Sequence, residues 1–412
     1  MLKRIARSIY HFFYPFFDLF KSSSLKKKIV LKEGKIHLVF ICQCENIFDK
    51  IKYFVSEAHK NEAFIVSLFI VPDTTPTKGN IFEQYAKENN IDFYHYEDGL
   101  LKKISPSLVC YTRPYDHYLP EDIRSKVVSK YCKTTYIPYG YSFMDLGKVN
   151  LSHQFTRNIS LFFADNSYSY NYFKRHNKVL LNNKALTCVD VGYPYFEDLH
   201  NNFANYCNGQ KTLFKNKNRI KVIWTPRWTS SEKLGGSNFL RYIDNMFDYF
   251  VNNDDFDFVF RPHPYAFSNY IETGVLTKEI ADGYIDKINK SSNSTYDNND
   301  LYLNLFNESD VLITDISSII AEYMFTKKPI IFCHNEGDDI VNEVFKKYEK
   351  CFYHAYSFED IKAIMEDLKD EKDPLKDDRE RLFADYSDSF KGTSKRMIEC
   401  ILDCKDKWYK RG

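Results

Sequence analysis

The chain has 412 residues, 44% hydrophobic and 27% charged, with 14 Gly and 13 Pro, a composition that fits about two to three globular domains and excludes a collagenous or low-complexity architecture. Its formal net charge of +1 conceals an asymmetry: Lys3, Arg4, Arg7, Lys21, Lys26, Lys27 and Lys28 face only Asp18 within residues 1–30, so the body is mildly acidic and lacks the basic face of a nucleic-acid binder. The 10 Cys form no CxxC pair and adjoin no paired His, which argues against a zinc or disulfide scaffold and predicts reduced thiols in a cytoplasmic protein.

The first element is the aromatic run IARSIYHFFYPFFDLF at 5–20, bracketed by basic residues and broken by Pro15 and Asp18. A bilayer span needs about 20 mostly apolar residues, and a signal peptide needs a small-residue cleavage site that SSSLKKK does not supply. Residues 1–30 therefore read as a membrane-associating segment, its rings at headgroup depth and its lysines on anionic lipid. This predicts a peripheral protein on the inner face of the cell membrane. The alternative is a helix packed on the protein's own core.

From Lys35 onward, apolar runs at 35–42, 64–71, 107–112, 134–140, 159–165 and 186–192 alternate with helix-length charged stretches such as 47–60 and 121–132. This alternation predicts buried parallel strands with crossover helices, one Rossmann-like domain over 31–205. Polar residues 206–218 read as a linker. A second series, with strands at 219–226, 257–264, 310–315 and 328–333 and helices at 238–251 and 317–325, predicts another Rossmann-like domain over 219–375. Residues 288–300 read as a surface loop, 367–383 as a solvated helix pair turning at Pro374, and 376–412 as C-terminal helices. The fold class is α/β, with two Rossmann-like parallel-sheet domains facing a central cleft and ligands at the carboxyl ends of strands.

Three motifs fall at strand ends of the second domain. Asp315-Ile316-Ser317-Ser318 ends a strand and opens a helix, placing two hydroxyls beside the amides of a first turn, an arrangement suited to phosphate or to an ordinary N-cap. Glu322, one turn further on, would reach ribose hydroxyls or sit solvated. Arg261-Pro262-His263-Pro264 fixes a guanidinium and an imidazole between prolines, able to neutralise a diphosphate or protonate a leaving phosphate. Pro226-Arg227-Trp228 offers a further Arg beside an aromatic ring.

The run from Glu308 through Ser318, continuing to Lys328-Pro329-Ile330-Ile331-Phe332, together with Arg261-Pro262-His263-Pro264 and Gly192-Tyr193-Pro194, resembles the signature of the CDP-glycerol glycerophosphotransferase family, which includes teichoic acid polymerases and primases. The resemblance implies a GT-B architecture, with an acceptor domain followed by a nucleotide-donor domain. It also implies transfer of an alditol phosphate from a CDP-alditol to a hydroxyl of a surface polymer or lipid-linked acceptor. By the same resemblance His263 and Arg261 act on the donor diphosphate, Ser317 and Ser318 bind its phosphate, Glu322 binds the ribose, and Asp315, Arg227 and Pro226 belong to the donor site.

The family's His-Gly-Thr element is replaced here by residues 136–141, which contain no His, and its Pro-Thr-x-Arg becomes Pro226-Arg227-Trp228-Thr229. A base for the acceptor hydroxyl is then sought in Asp116 or His117, on the loop after the strand at 107–112. The competing reading is a turn in which Asp116 caps the next helix and His117 faces solvent, and His153 and His334 are weaker candidates. No cofactor and no metal are called for, because Arg, His and a helix terminus can neutralise a leaving diphosphate. The expected partners are the nucleotide-activated donor, a glycan or lipid-linked acceptor and an anionic membrane surface. Rival readings are a nucleotide-sugar glycosyltransferase and a catalytically inactive scaffold of the same assembly pathway.

Overall fold

The computed structural model describes residues 18–410 apart from 32–33, 73–79, 147–152, 208–210, 230, 232–235, 300–301 and 336–339. The chain divides into two compact units, one drawn from the described residues within 1–142, 150–198 and 390–412, the other from those within 143–149 and 199–389.

In the first unit a short strand β1 (Ile29–Val30) precedes β2 (Ile36–Cys42), β3 (Phe64–Ile70), β4 (Asp92–His95), β5 (Leu108–Tyr111), β6 (Lys133–Tyr136), β7 (Leu161–Ala164) and β8 (Thr187–Asp190). β2 to β8 form one parallel sheet in the order β4-β3-β2-β5-β6-β7-β8. β2, β5, β6 and β7 are buried along their whole length, as strands covered on both faces must be. The strand order reverses between β2 and β5, the kind of position at which ligands bind in open parallel sheets.

The expected helix at 121–132 is instead a 3₁₀ turn, Glu121–Ile123, followed by the four-residue helix Ser125–Val128. The expected boundary at 206–218 also shifts. The division between units falls inside the helix Pro194–Cys207, whose first residues Tyr195 and Phe196 are buried in the first unit. Residues 376–412 do not form a group of their own. The helix Lys376–Asp388 lies in the second unit, whereas Thr393–Asp403 buries Met397 and Ile401 in the core of the first. The chain then adds Tyr409–Lys410 in parallel beside β1.

Gly192 is where this returning helix meets the first unit. Its φ is +90°, and a Cβ there would lie 2.9 Å from Thr393 Oγ1 and 3.3 Å from Phe390 Cδ1. Gly192→Ala combines a disfavoured backbone with an overlap, so it is expected to cost about 2–3 kcal/mol in urea unfolding. An unchanged midpoint would show that the helix yields freely.

The second unit contains β9 (Ile220–Thr225), β10 (Phe256–Phe260), β11 (Ser294–Tyr296), β12 (Val311–Thr314), β13 (Ile330–Cys333) and β14 (Tyr353–Ala355), all parallel in the order β11-β10-β9-β12-β13-β14. In chain order the final strand of the molecule, Tyr409–Lys410, is β15. Phe239, Tyr242, Ile243, Met246, Phe247 and Phe250 form the buried stripe of helix Phe239–Phe250, and Phe239 stacks on Phe260 at 6.0 Å and on Tyr270 at 5.2 Å. The stretch read as a surface loop at 288–300 contains β11. Asn293, fully buried, donates to the carbonyls of Phe250, Asn253 and Phe256, which draws this polar segment into the sheet edge. The strand order of the second unit reverses between β9 and β12.

Candidate functional site

The loops after β10, β9 and β12 leave the carboxyl ends of three adjacent strands, so 261–265, 226–229 and 315–318 converge where the second sheet reverses. Backbone bonds join them: His263 N–H donates to Pro226 O at 3.1 Å, and Arg227 N–H to Asp315 Oδ2 at 3.0 Å.

Asp315 is the hub. It is 1% exposed and accepts from Arg227 N, Ser237 Oγ (2.9 Å), Asn238 N (3.2 Å), Asn238 Nδ2 (3.0 Å) and Asn335 Nδ2 (3.4 Å). Burial pushes its carboxyl up, while the donors from Arg227, Ser237 and Asn238 pull it back. Asp315 thus organises the loop walls from beneath. Asn238, absent from the sequence candidates, extends the hub by donating to the carbonyls of Cys333 and His334 at 3.0 and 3.1 Å. An Asn just before an apolar helical stripe reads from sequence as a cap, and only the fold shows what its side chain reaches.

Ser317 and Ser318 open the short helix Ile319–Tyr323, and neither is a conventional cap. Ser318 has no capping bond and is exposed, while Ser317 Oγ accepts only a long 3.5 Å bond from Ile319 N–H. Both hydroxyls lie beside the amides of a first turn. The Arg227 guanidinium, mostly buried, donates to Ile316 O at 3.5 Å and touches Met144 Sδ at 3.7 Å.

His263 Nδ1 accepts from Tyr265 N–H at 3.2 Å, which assigns the remaining proton of the neutral ring to Nε2. Burial, with the positive charges of Arg227 and Arg261 nearby, pulls its pKa down from 6.5 to about 4. At neutral pH the His263 ring is therefore held neutral and offers its Nε2–H as a hydrogen-bond donor.

Arg261 is engaged by the protein itself. Its guanidinium forms a buried ion pair with Asp297, donates to Asn299 O at 2.9 Å and lies 4.6 Å from the Tyr302 ring centre. Tyr302 Oη in turn donates to Glu322 Oε2 at 2.6 Å. Glu322 is 6% exposed, so it is not a solvated carboxylate but the end of a chain running Glu322, Tyr302, Arg261, Asp297. Asp297 and Tyr302 carried no sequence signal, since both sit in or next to the Asn-rich stretch read as a loop.

In the first unit Asp116 does not present a base. Its carboxylate accepts from Ser125 N–H at 2.9 Å and Ser125 Oγ at 2.6 Å, which ties down the start of the helix Ser125–Val128. His117 is exposed, its ring 4.1 Å from that of Tyr118. Asp165, at the end of β7, was not singled out from sequence. Fully buried and bonded to Ser142 N and Oγ, it is pushed up to about 6 by burial and anchors the end of the loop after β6. His153 begins the helix His153–Thr156, but its side chain lies outside the described residues. His334, after β13, meets His354 Nδ1 through Nε2 at 2.7 Å and stacks on Tyr356 at 4.3 Å.

Among solved structures the chain is similar to UDP-bound MnaA of S. aureus, at 10% identity over 92% of this chain and 100% of that one with TM-score 0.59. It is also similar to UDP-GlcNAc 2-epimerase of Neisseria meningitidis, at 12% identity over 89% and 100% with TM-score 0.56. The wall teichoic acid polymerase TagF matches at 15% identity over 99% and 98% with TM-score 0.53. These likenesses show the GT-B fold class for the two Rossmann-like units. No curated protein sequence matches the chain. Matching the family described as CDP-Glycerol:Poly(glycerophosphate) glycerophosphotransferase over residues 148–402, more than half its length, the chain belongs to that family.

Proposed function

We propose that this chain transfers glycerol phosphate, or a similar alditol phosphate, from a CDP-alditol to a hydroxyl of a teichoic-acid-like or surface-polysaccharide acceptor. The observation that carries the reading is the convergence of His263, Arg227 and the Ser317-Ser318 turn where the sheet reverses, in a chain of the glycerophosphotransferase family. The acceptor oxygen bonds to the phosphorus bearing the alditol, the bond from that phosphorus to the bridging oxygen breaks, and CMP departs while the acceptor proton passes to solvent or phosphate. Such transfers rest on positioning and charge stabilisation, and CMP is a good enough leaving group to need no acid. Ser317, Ser318 and the first-turn amides bind phosphate, Arg227 supplies a fixed positive charge, and His263 Nε2–H donates to the diphosphate. Glu322 takes the ribose hydroxyls, since a carboxylate accepts several bonds at once. Arg261 acts as a positioning residue through Asp297 and Tyr302. No resident cofactor or metal takes part in this scheme.

The test is incubation of the purified protein with CDP-glycerol, CDP-ribitol and UDP-N-acetylglucosamine plus lipid-linked or oligosaccharide acceptors, reading released nucleotide and product mass. CMP release with product gain from a CDP-alditol is expected. UDP release would make the chain a nucleotide-sugar glycosyltransferase, and nucleotide binding without turnover would make it a scaffold.

The same reading places the protein peripherally at the inner membrane face. No helix among the described residues is long and apolar enough to cross a membrane. Residues 1–17 of the basic, aromatic segment lie outside the described residues. Residues 18–25 are helical and present two faces. Asp18, Ser22 and Leu25 point inward, with Asp18 paired to Arg157 and Leu25 only 2% exposed, whereas Leu19 and Phe20 are 54% and 67% exposed. Lys26, Lys27 and Lys28 are exposed as well. Docking on the core and an outward apolar face therefore coexist. Removing residues 1–28 would take Leu25 from the core, at about 1.5–3 kcal/mol, so a deletion would mix lost stability with lost membrane binding. Leu19→Ser with Phe20→Ser is expected to weaken binding to anionic phosphatidylserine vesicles by at least ~10-fold while leaving the melting temperature in place. Unchanged vesicle binding would exclude this face.

A further inference from the structure

The first unit has its own reversal point, between β2 and β5, and the side chains gathered there belong to a different chemistry from those of the second unit. Gln43 follows β2, and residues 113–118 follow β5. The loop after β6, the next strand in the sheet, contributes Tyr139. Gln43 is nearly buried and acts as the clasp: Nε2 donates to Pro72 O at 3.2 Å and Tyr118 O at 2.9 Å, and Oε1 accepts from Arg113 Nη1 at 3.1 Å. Around this clasp stand rings. Tyr115 meets Tyr118 edge-on at 6.0 Å, and its hydroxyl is 2.9 Å from that of Tyr139. The His117 ring is 4.1 Å from that of Tyr118, and the Arg113 guanidinium is 5.0 Å from the Tyr118 ring centre. Despite this packing, Tyr118 remains 45% exposed and Tyr139 36% exposed.

These rings are held in place by their neighbours, and those of Tyr118 and Tyr139 keep part of their surface exposed among the described residues. Their fixed geometry lowers the entropy cost of binding, and their faces carry the negative lobe of the aromatic quadrupole. Such faces suit a ligand that presents polarised C–H groups in a flat array with hydroxyls at its rim. A pyranose ring does so, with its axial hydrogens over an aromatic face and its hydroxyls within reach of phenols and a guanidinium. A polyol phosphate chain would ask instead for a row of cations along its phosphates. In this cluster the described cationic side chain is Arg113, which is clasped to Gln43 and set against Tyr118.

We infer that Tyr115, Tyr118 and Tyr139, braced by Gln43 and Arg113, form a stacking site for a sugar ring, so that the acceptor presents a pyranose and not a bare glycerol phosphate chain. The word acceptor rests on the transferase reading above, whereas the sugar site itself does not. It also gives His117 a place in substrate binding, as part of the rim.

The experiment uses the whole protein and two separate readouts. Saturation-transfer NMR with a panel of methyl pyranosides (glucose, galactose, mannose, N-acetylglucosamine and N-acetylmannosamine) and an sn-glycerol 3-phosphate trimer reports on the tyrosine cluster, and CDP titration of the same samples reports on the donor site. At least one pyranoside is expected to receive saturation through its ring hydrogens. Tyr118→Ala and Tyr139→Ala are each expected to weaken that binding about 3–10-fold while leaving CDP affinity unchanged. Tyr139→Phe, which keeps the ring, is expected to retain most of it. Absence of transfer to every pyranoside, transfer undiminished in both alanine variants, or stronger transfer to the trimer would overturn the assignment. Loss of CDP binding in the wild type would instead count against the donor-site reading and leave the sugar result standing.

Discussion

His263→Ala is expected to lower turnover with CDP-glycerol by at least ~100-fold, the usual cost of removing one donor aimed at developing charge. The ring is locked by Tyr265 N–H on Nδ1, so the group lost is a neutral Nε2–H donor directed away from its own loop. This makes a second variant informative. Glutamine can place an N–H near the Nε2 position but cannot become a charged acid, so His263→Gln should keep distinctly more activity than His263→Ala. Equal loss in both would restore a proton-donating role. The pH dependence has a definite sign. The imidazole titrates near 4 in the folded protein against about 6.5 when unfolded, so between those values the unfolded chain binds the extra proton and stability falls as pH falls. Above pH 6.5 this contribution is constant. His263→Ala should flatten that part of the stability profile, and a bound diphosphate should drive proton uptake by the wild type near pH 5.5, measurable as a buffer-dependent heat of binding.

Asp315→Ala is expected to destabilise the second unit by about 3–5 kcal/mol, since it strands buried donors of Arg227, Ser237 and Asn238 that together surround the carboxylate. The individual bonds are coupled, so their costs do not add. Urea unfolding followed by tryptophan fluorescence reads the effect, because Trp224 lies in the core of this unit. Donor binding should fail in parallel: Arg227 N–H and the loop beneath the phosphate site lose their anchor. Asp315→Asn keeps one oxygen but turns an N–H₂ toward other donors, so an intermediate loss is expected. A stable Asp315→Ala protein with weakened CDP binding would instead mean that the carboxylate touches the donor.

What the sequence conveyed about this architecture depended on how local the signal was. β2, β5, β7, β9, β10, β12 and β13 are buried strands and read as apolar runs, and their end loops carry the motifs. β4 and β14 were missed because both are sheet edges, partly exposed and short of apolar residues. Within the site, the positions of His263, Arg227, Ser317 and Ser318 at strand ends followed from alternation alone. Their electrostatic states did not. Asp297 neutralises Arg261 across 36 residues of sequence, and Asp116 is spent on Ser125 nine residues away, pairings that no spacing rule announces. The tyrosine cluster was equally hidden, because Tyr115, Tyr118 and Tyr139 meet only once β5 and β6 lie side by side.

The return of Thr393–Asp403 and Tyr409–Lys410 to the first unit has a consequence for biosynthesis. A ribosome delivers residues 199–389 as one uninterrupted stretch, whereas the first core still lacks Met397, Ile401 and Trp408 when that stretch has emerged. Domains ordinarily mature in the order they are translated, N-terminal first. Here the unit begun first is the one finished last. Through most of translation its apolar face, and the edge of β1 that awaits Tyr409–Lys410, stay open to solvent and to chaperones. A nascent chain arrested near residue 390 would carry all of residues 199–389 on a first unit whose core is still unsealed.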